Sequence, residues 1–159
     1  HGSGIDADQA SEIATRGIAV TPTLRQVELF KDFAAQAGEK YPVYAATMRG
    51  MYEMRREHFE MLVNSGVLLL MGTDSGGYQD HGTIVGELAL WHQWAAPAQF
   101  TIDAATWVSQ RYLGYPGLVE GGPADFLFLN EDPRIDPLAL SRPTRVTLGG
   151  STAWERTSD

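Results

Sequence analysis

The chain of 159 residues has no cysteine at all. That excludes disulfides, thiolate metal ligands and a cysteine nucleophile, and it fits a reducing compartment, so a cytoplasmic location is the expectation. Basic residues are scarce. Twelve Lys and Arg stand against 20 Asp and Glu, for a formal charge of −8, and no basic cluster offsets the excess. Phosphate backbones and anionic membranes repel such a surface on average, so neither nucleic acid nor a membrane is an expected partner. No run approaches the roughly 20 apolar residues that a membrane-spanning helix requires. His1-Gly2-Ser3-Gly4 leads into acidic residues, unlike the charged and then apolar start of a signal peptide. The sequence has no Gly-x-Ser-x-Gly elbow and no phosphate-binding loop, which argues against a serine hydrolase or an NTPase. It also has no initiator methionine, so a processed or truncated product is expected.

What is present is an ordinary folded composition, 43% hydrophobic and 20% charged, long enough for a substantial core. The most informative segment is Val67 to Gly77. Its apolar first half suits a strand buried on both faces, as parallel sheets require. Gly72-Thr73-Asp74-Ser75-Gly76-Gly77 then turns the backbone sharply and leaves one carboxylate at the strand's C-terminal end. Open α/β sheets and (β/α) barrels carry their chemistry there. A cap for the following helix is the plainer role for Asp74, and the segment alone divides evenly between the two.

Along the chain, Asp6 is placed to cap a helix over about 7–16, ended by Gly17. Ile18 to Thr21 reads as a buried strand closed by Pro22, and Thr23 as the cap of a helix reaching Ala37. One longer helix is expected over 42–64, with Tyr44, Met48, Met51 and Met54 on its stripe. Helix–strand–helix–strand order is the signature of a parallel sheet with crossover helices. Two further helical patterns run near 83–94 and 102–113. From Gly114 the texture changes to short β-like runs, 124–129 and 144–148, between Gly-Gly and Pro turns. The expected division is therefore an α/β portion over 1–113 and a small antiparallel β-unit over 114–159.

Taken in order, the motifs resemble the C-terminal part of a metal-dependent amidohydrolase of the imidazolonepropionase-like and prolidase-like branch. They are His1-Gly2, Arg16-Gly17-Ile18-Ala19-Val20-Thr21-Pro22-Thr23-Leu24, Gly72-Thr73-Asp74-Ser75, His81-Gly82 and Glu87-Leu88. Ala104-Ala105-Thr106, Leu113-Gly114, Glu120-Gly121, Ala124-Asp125, Asp132-Pro133 and the stretch from Val146 to Gly150 follow. The resemblance implies the last part of a (β/α)8 TIM-type barrel, from the end of strand 6 to strand 8, plus part of an appended β-sandwich. His1 would follow the sixth strand, with Ile18 to Thr23 the seventh and Val67 to Thr73 the eighth.

The implied function is hydrolysis of a C–N bond in a small amide, cyclic amide or dipeptide. In the family the residue at His1 binds a divalent metal, usually zinc. The one at Asp74 contacts the metal-bound water and serves as general base and proton shuttle. Those residue types suit the chemistry, because a metal lowers the pKa of its bound water toward ~7 while a carboxylate takes the proton. His81 is the candidate substrate contact at the barrel mouth, although a loop histidine is more often simply solvent-exposed. The family's His-x-His pair, bridging lysine and further histidine all have no counterpart in this sequence. Two ligands do not hold a catalytic zinc, which normally has three from the protein. A missing N-terminal part or an oligomeric partner is therefore expected, and the isolated chain is expected to be inactive.

Plainer readings stand beside these. His1 resembles expression-linker sequence, and an N-terminal histidine also chelates copper through its α-amino group and ring. His58 and His92 read as packing or surface residues, the methionine stripe as packing, and Asp125 and Asp132 as turn residues. Glu87 reads as an anchor for the helix after Asp74. A non-catalytic α/β interaction module that kept the framework is the alternative to an enzyme.

Overall fold

The computed structural model describes residues 1–94 and 96–157. They form two compact units, 1–96 and 97–159.

The first unit starts with helix α1 (Ala7–Thr15). Its start is set by a reciprocal capping box: Asp6 Oδ1 accepts from the Gln9 amide at 2.8 Å, and Gln9 Oε1 accepts from the Asp6 amide at 2.9 Å. Two orphan amides of the first turn are thereby satisfied. Strand β1 (Ala19–Val20) follows, and after the helices α2 (Leu24–Glu28), α3 (Phe30–Ala37), α4 (Pro42–Glu53) and α5 (Arg55–Asn64) the chain returns as β2 (Leu68–Leu69). The two strands pair in parallel, Ala19 with Leu68 and Val20 with Leu69, and the Leu70 amide extends the ladder to the Val20 carbonyl at 2.9 Å. Helix α6 (Ile84–Gln93) closes the unit. Its Trp91 is fully buried and meets Phe59 of α5 edge-on at 5.1 Å between ring centroids.

Three expectations change here. The single helix over 42–64 is two helices that meet at Met54, and the single helix after Thr23 is α2 and α3, which meet at Leu29. Neither junction carries a proline or glycine, so periodicity alone gave no sign of a break. The strand expected over 67–73 pairs only at Leu68–Leu69, and Leu68 is 37% exposed rather than covered on both faces. A sheet of two short strands has too little width to bury both faces. Gly72 lies close to β1's continuation, since a Cβ there would meet Thr21 Cγ2 at 2.7 Å.

In the second unit, α7 (Ala98–Ala105) and α8 (Trp107–Tyr112) precede an antiparallel sheet in the order β3 (Phe126–Phe128), β4 (Arg145–Leu148), β5 (Ser151–Glu155). A 3₁₀ turn at Pro137–Ser141 links β3 to β4. The β-like texture read from the sequence is thus a three-stranded sheet. Asp125 accepts from the Gly149 amide at 2.6 Å, fastening β3 to the β4–β5 turn. Asp132 accepts from the Arg134 amide at 2.9 Å and from its guanidinium, which holds the carboxyl down at about 2. Both aspartates are turn residues, as their sequence context suggests.

Among the described residues, no helix is long and apolar enough to cross a membrane.

Candidate metal and acid–base site

Parallel pairing of β1 with β2 brings the segments beyond their C-terminal ends side by side, and the sequence puts Thr23 on one and Asp74 on the other. His1 reaches both. Its Nδ1 lies 2.9 Å from Thr23 Oγ1, and its Nε2 lies 3.9 Å from Asp74 Oδ2. The imidazole is thus held on one side by a buried hydroxyl and turned on the other toward a half-exposed carboxylate.

Thr23 and Asp74 share a backbone feature. They are the two non-glycine residues with positive φ among the described residues, at +47° and +58°. That left-handed region is unusual for any residue with a Cβ and a clear outlier for a β-branched one. Such strain persists only where the surroundings enforce it, and it gathers at functional sites.

The enforcement at Thr23 is visible. Glu87 of α6 is completely buried, and its carboxylate accepts from the Leu24 amide at 2.9 Å and the Arg25 amide at 2.8 Å. The indole of Trp91 donates to the same carboxylate at 2.9 Å. Thr23 was expected to cap α2, but its side chain makes no capping bond. Its left-handed backbone and its bond to His1 commit the hydroxyl elsewhere, and Glu87 serves the first amides of α2 from 63 residues away. Sequence position points to Glu87 as an anchor for its own helix, whereas its carboxylate anchors α2. A lone glutamate in an apolar helix was the only hint of this in the sequence.

Asp74 does not cap α6, which begins at Ile84. Its loop is pinned instead by Gln79, whose amide donates to the Thr73 carbonyl at 2.9 Å and to Gln26 Oε1 at 3.1 Å, and whose oxygen accepts from Arg25 Nε at 3.2 Å. A hydroxyl chain, Thr73–Ser75–Thr83, runs through the same loop at 2.6 and 2.8 Å. His81 lies in this loop with its ring over Gly76, where a Cβ would come within 3.2 Å of its Cε1. No hydrogen bond or ion pair joins His81 to His1 or Asp74. His58 bonds the Ile5 carbonyl at 3.0 Å, a packing role.

The donor chemistry of the pair suits a divalent ion. Nε2 and Oδ2 are too far apart for a direct hydrogen bond, and two donors each ~2.0–2.2 Å from one ion stand up to about 4 Å apart. The set is partial. Among the described residues no group of three or more His, Cys, Asp or Glu is placed to hold a metal.

Comparison with known proteins gives the frame. No family model matches the chain. Uncharacterized proteins of Mycobacterium tuberculosis and Mycobacterium bovis are 37% identical to it over 152 residues, 96% of this chain and 41% of theirs. The chain thus spans about two-fifths of the length of the curated relatives it matches. Among solved structures, an amidohydrolase superposes with a TM-score of 0.75 and 25% identity, covering 99% of this chain and 40% of that one. A Xaa-Pro dipeptidase with methionine bound in its active site gives a TM-score of 0.75 at 23% identity, over 98% of this chain and 39% of its own. A prolidase complexed with N-methylphosphonate-L-proline gives 0.72 at 22% identity, over 98% of this chain and 40% of its own. The chain has a mixed α/β structure with a partial amidohydrolase-like fold.

Proposed function

We propose that this chain is the C-terminal part of a metal-dependent amidohydrolase that cleaves a C–N bond in an amide, cyclic amide or dipeptide. The observation that carries the reading is the pair His1 Nε2 and Asp74 Oδ2, facing each other at 3.9 Å beyond the C-terminal ends of adjacent parallel strands. In sheets and barrels of this kind the chemistry collects at those ends. The prolidase and Xaa-Pro dipeptidase structures with this fold favour a dipeptide within that range.

His1 would be one ligand of the ion, with zinc the metal best suited to this family's chemistry. Asp74 would be a second ligand and the acid–base group, and His81, at the lip of the Asp74 loop, a substrate contact. A bound divalent ion supplies the lowered water pKa and the polarised carbonyl of such hydrolyses. Thr23 and Glu87 orient His1, while Asp74 takes a proton from the attacking water and returns it to the leaving nitrogen. The remaining ligands would come from an N-terminal part or a partner subunit, and the chain alone would be inactive.

The test is a zinc titration of the chain followed through the ring resonances of His1. A saturable shift is expected, weakened at least tenfold in Asp74→Asn. Dependence on Asp74 separates this site from simple chelation by the α-amino group of His1. Because two ligands alone bind weakly, the titration extends to millimolar zinc, and a shift at His1 indifferent to Asp74 overturns the reading in favour of a non-catalytic module.

A further inference from the structure

We infer that Thr23 is the positioning residue for His1: its hydroxyl, presented by a left-handed backbone that Glu87 holds in place, fixes the imidazole with Nε2 toward Asp74. The inference deepens the reading above and takes its functional meaning from it.

The geometry supplies the argument. An imidazole on a flexible side chain has two rotatable bonds and two tautomers, so aiming one nitrogen requires a partner for the other. Thr23 Oγ1 is that partner, at 2.9 Å from Nδ1. For Nε2 to offer its lone pair to a cation, Nδ1 must carry the ring proton, and Oγ1 then accepts it. A hydroxyl also donates, so the same bond survives with the proton on Nε2 and Nδ1 accepting from Oγ1–H. A backbone carbonyl would permit only the first state. Thr23 therefore keeps the ring aimed both before and after a cation arrives.

The backbone explains why the hydroxyl is there. Thr23 is 2% exposed and sits at φ +47°, a conformation that costs free energy for a β-branched residue. Nothing local repays it, since the side chain gives no bond to its own helix. What enforces it is the bond from the next two amides to buried Glu87. A strained residue clamped from behind and committed in front to one ring nitrogen has the arrangement of a ligand support. Partners of this type change metal affinity by roughly 10–100-fold when removed.

The experiment uses the whole chain with ¹⁵N-labelled histidine, comparing Thr23→Val, Thr23→Ser and Thr23→Ala. In the metal-free protein, wild type and Thr23→Ser are expected to show one set of His1 ring-nitrogen shifts, displaced from those of a free imidazole by the bond to residue 23. Thr23→Val is expected to show the averaged shifts of a free imidazole. Zinc affinity is expected to fall about 10–100-fold in Thr23→Val and to stay within about threefold in Thr23→Ser. Backbone amide dispersion reports the fold. If Thr23→Val unfolds, Thr23→Ala removes the same hydroxyl with less backbone strain and gives the same readout. Fixed His1 shifts that survive loss of the hydroxyl, or averaged shifts that Thr23→Ser leaves averaged, overturn the assignment. Should the ring of wild type depend on Thr23 while its zinc shift is indifferent to Asp74, the hydrolase reading fails and the Thr23 assignment stands.

Discussion

Thr23 and Asp74, the two left-handed non-glycine residues among those described, lie beyond the ends of neighbouring parallel strands, and each approaches a different nitrogen of His1. Random strain would not converge on one ring. Asp74 is the simpler member, because its side chain is half-exposed and accepts no backbone amide. Asp74→Gly removes the left-handed penalty along with the carboxylate. Its stability is expected to rise by up to about 1 kcal/mol, less whatever the added freedom of the unfolded glycine removes. Asp74→Asn, which tolerates the same backbone, is expected to stay within about 0.5 kcal/mol of wild type. Both should weaken zinc binding at His1. Urea denaturation checks the first part, and a loss above 1 kcal/mol in either variant would mean that the carboxylate holds the loop together.

Glu87 carries more of the fold than its single position suggests. Its carboxylate satisfies two backbone amides and an indole, all in a site with no water access to replace it. Leaving a buried donor unpaired costs about 1–3 kcal/mol. Glu87→Ala is therefore expected to destabilise the first unit by about 3 kcal/mol or more, with Trp91 fluorescence as the reporter. A change under 1 kcal/mol would show that α2 holds its N-terminus without this clamp, and Thr23 would lose its anchor.

The same residue predicts a pH dependence. Burial pushes the Glu87 carboxyl above its ordinary 4.5, against the opposing pull of the Arg25 and Leu24 amides, the Trp91 indole and the Arg25 charge. A raised folded-state pKa means the folded form binds the proton more tightly than the unfolded one. The contribution to stability is therefore fully present below about pH 4.5 and is lost as pH climbs through the folded value. Glu87→Gln has no such proton, so the stability of wild type relative to this variant should fall as pH rises from 4.5 toward neutrality. Paired denaturation curves at several pH values provide the measurement. A relative rise would mean that the three hydrogen bonds outweigh burial and keep the carboxyl ionised.

Local signals in the sequence were legible and long-range ones were not. The cap at Asp6 and the turn at Asp132 each depend on residues a few positions apart, so composition and spacing expose them. The order of small motifs carried the amidohydrolase-like fold in the same way. The role of Glu87 depends on partners 62 and 63 residues away, and nothing near it in sequence marks them. Thr23 misled for a related reason. A threonine before a helix reads as a cap, but a left-handed φ, invisible in sequence, turns the side chain to His1. The breaks at Leu29 and Met54 likewise lack any glycine or proline to announce them.

Gly72 ties the strand pairing to the site. Its backbone is not left-handed, so the glycine is needed for space: a Cβ there would stand 2.7 Å from Thr21 Cγ2, well inside contact distance. Thr21 and Gly72 are the residues by which the two segments approach each other just before Thr23 and Asp74. Gly72→Ala is expected to cost about 1–3 kcal/mol through overpacking. Since the clash is with one methyl group, Thr21→Ser should recover most of that cost, and a double-mutant cycle should return a coupling of about 1 kcal/mol or more. The two segments would also be wedged apart in Gly72→Ala, moving Asp74 away from His1, so zinc affinity should fall in the single variant and return in the double. Additive effects on stability would show that the glycine is tolerated rather than required, and that the spacing of His1 and Asp74 is set by the loop around Gln79.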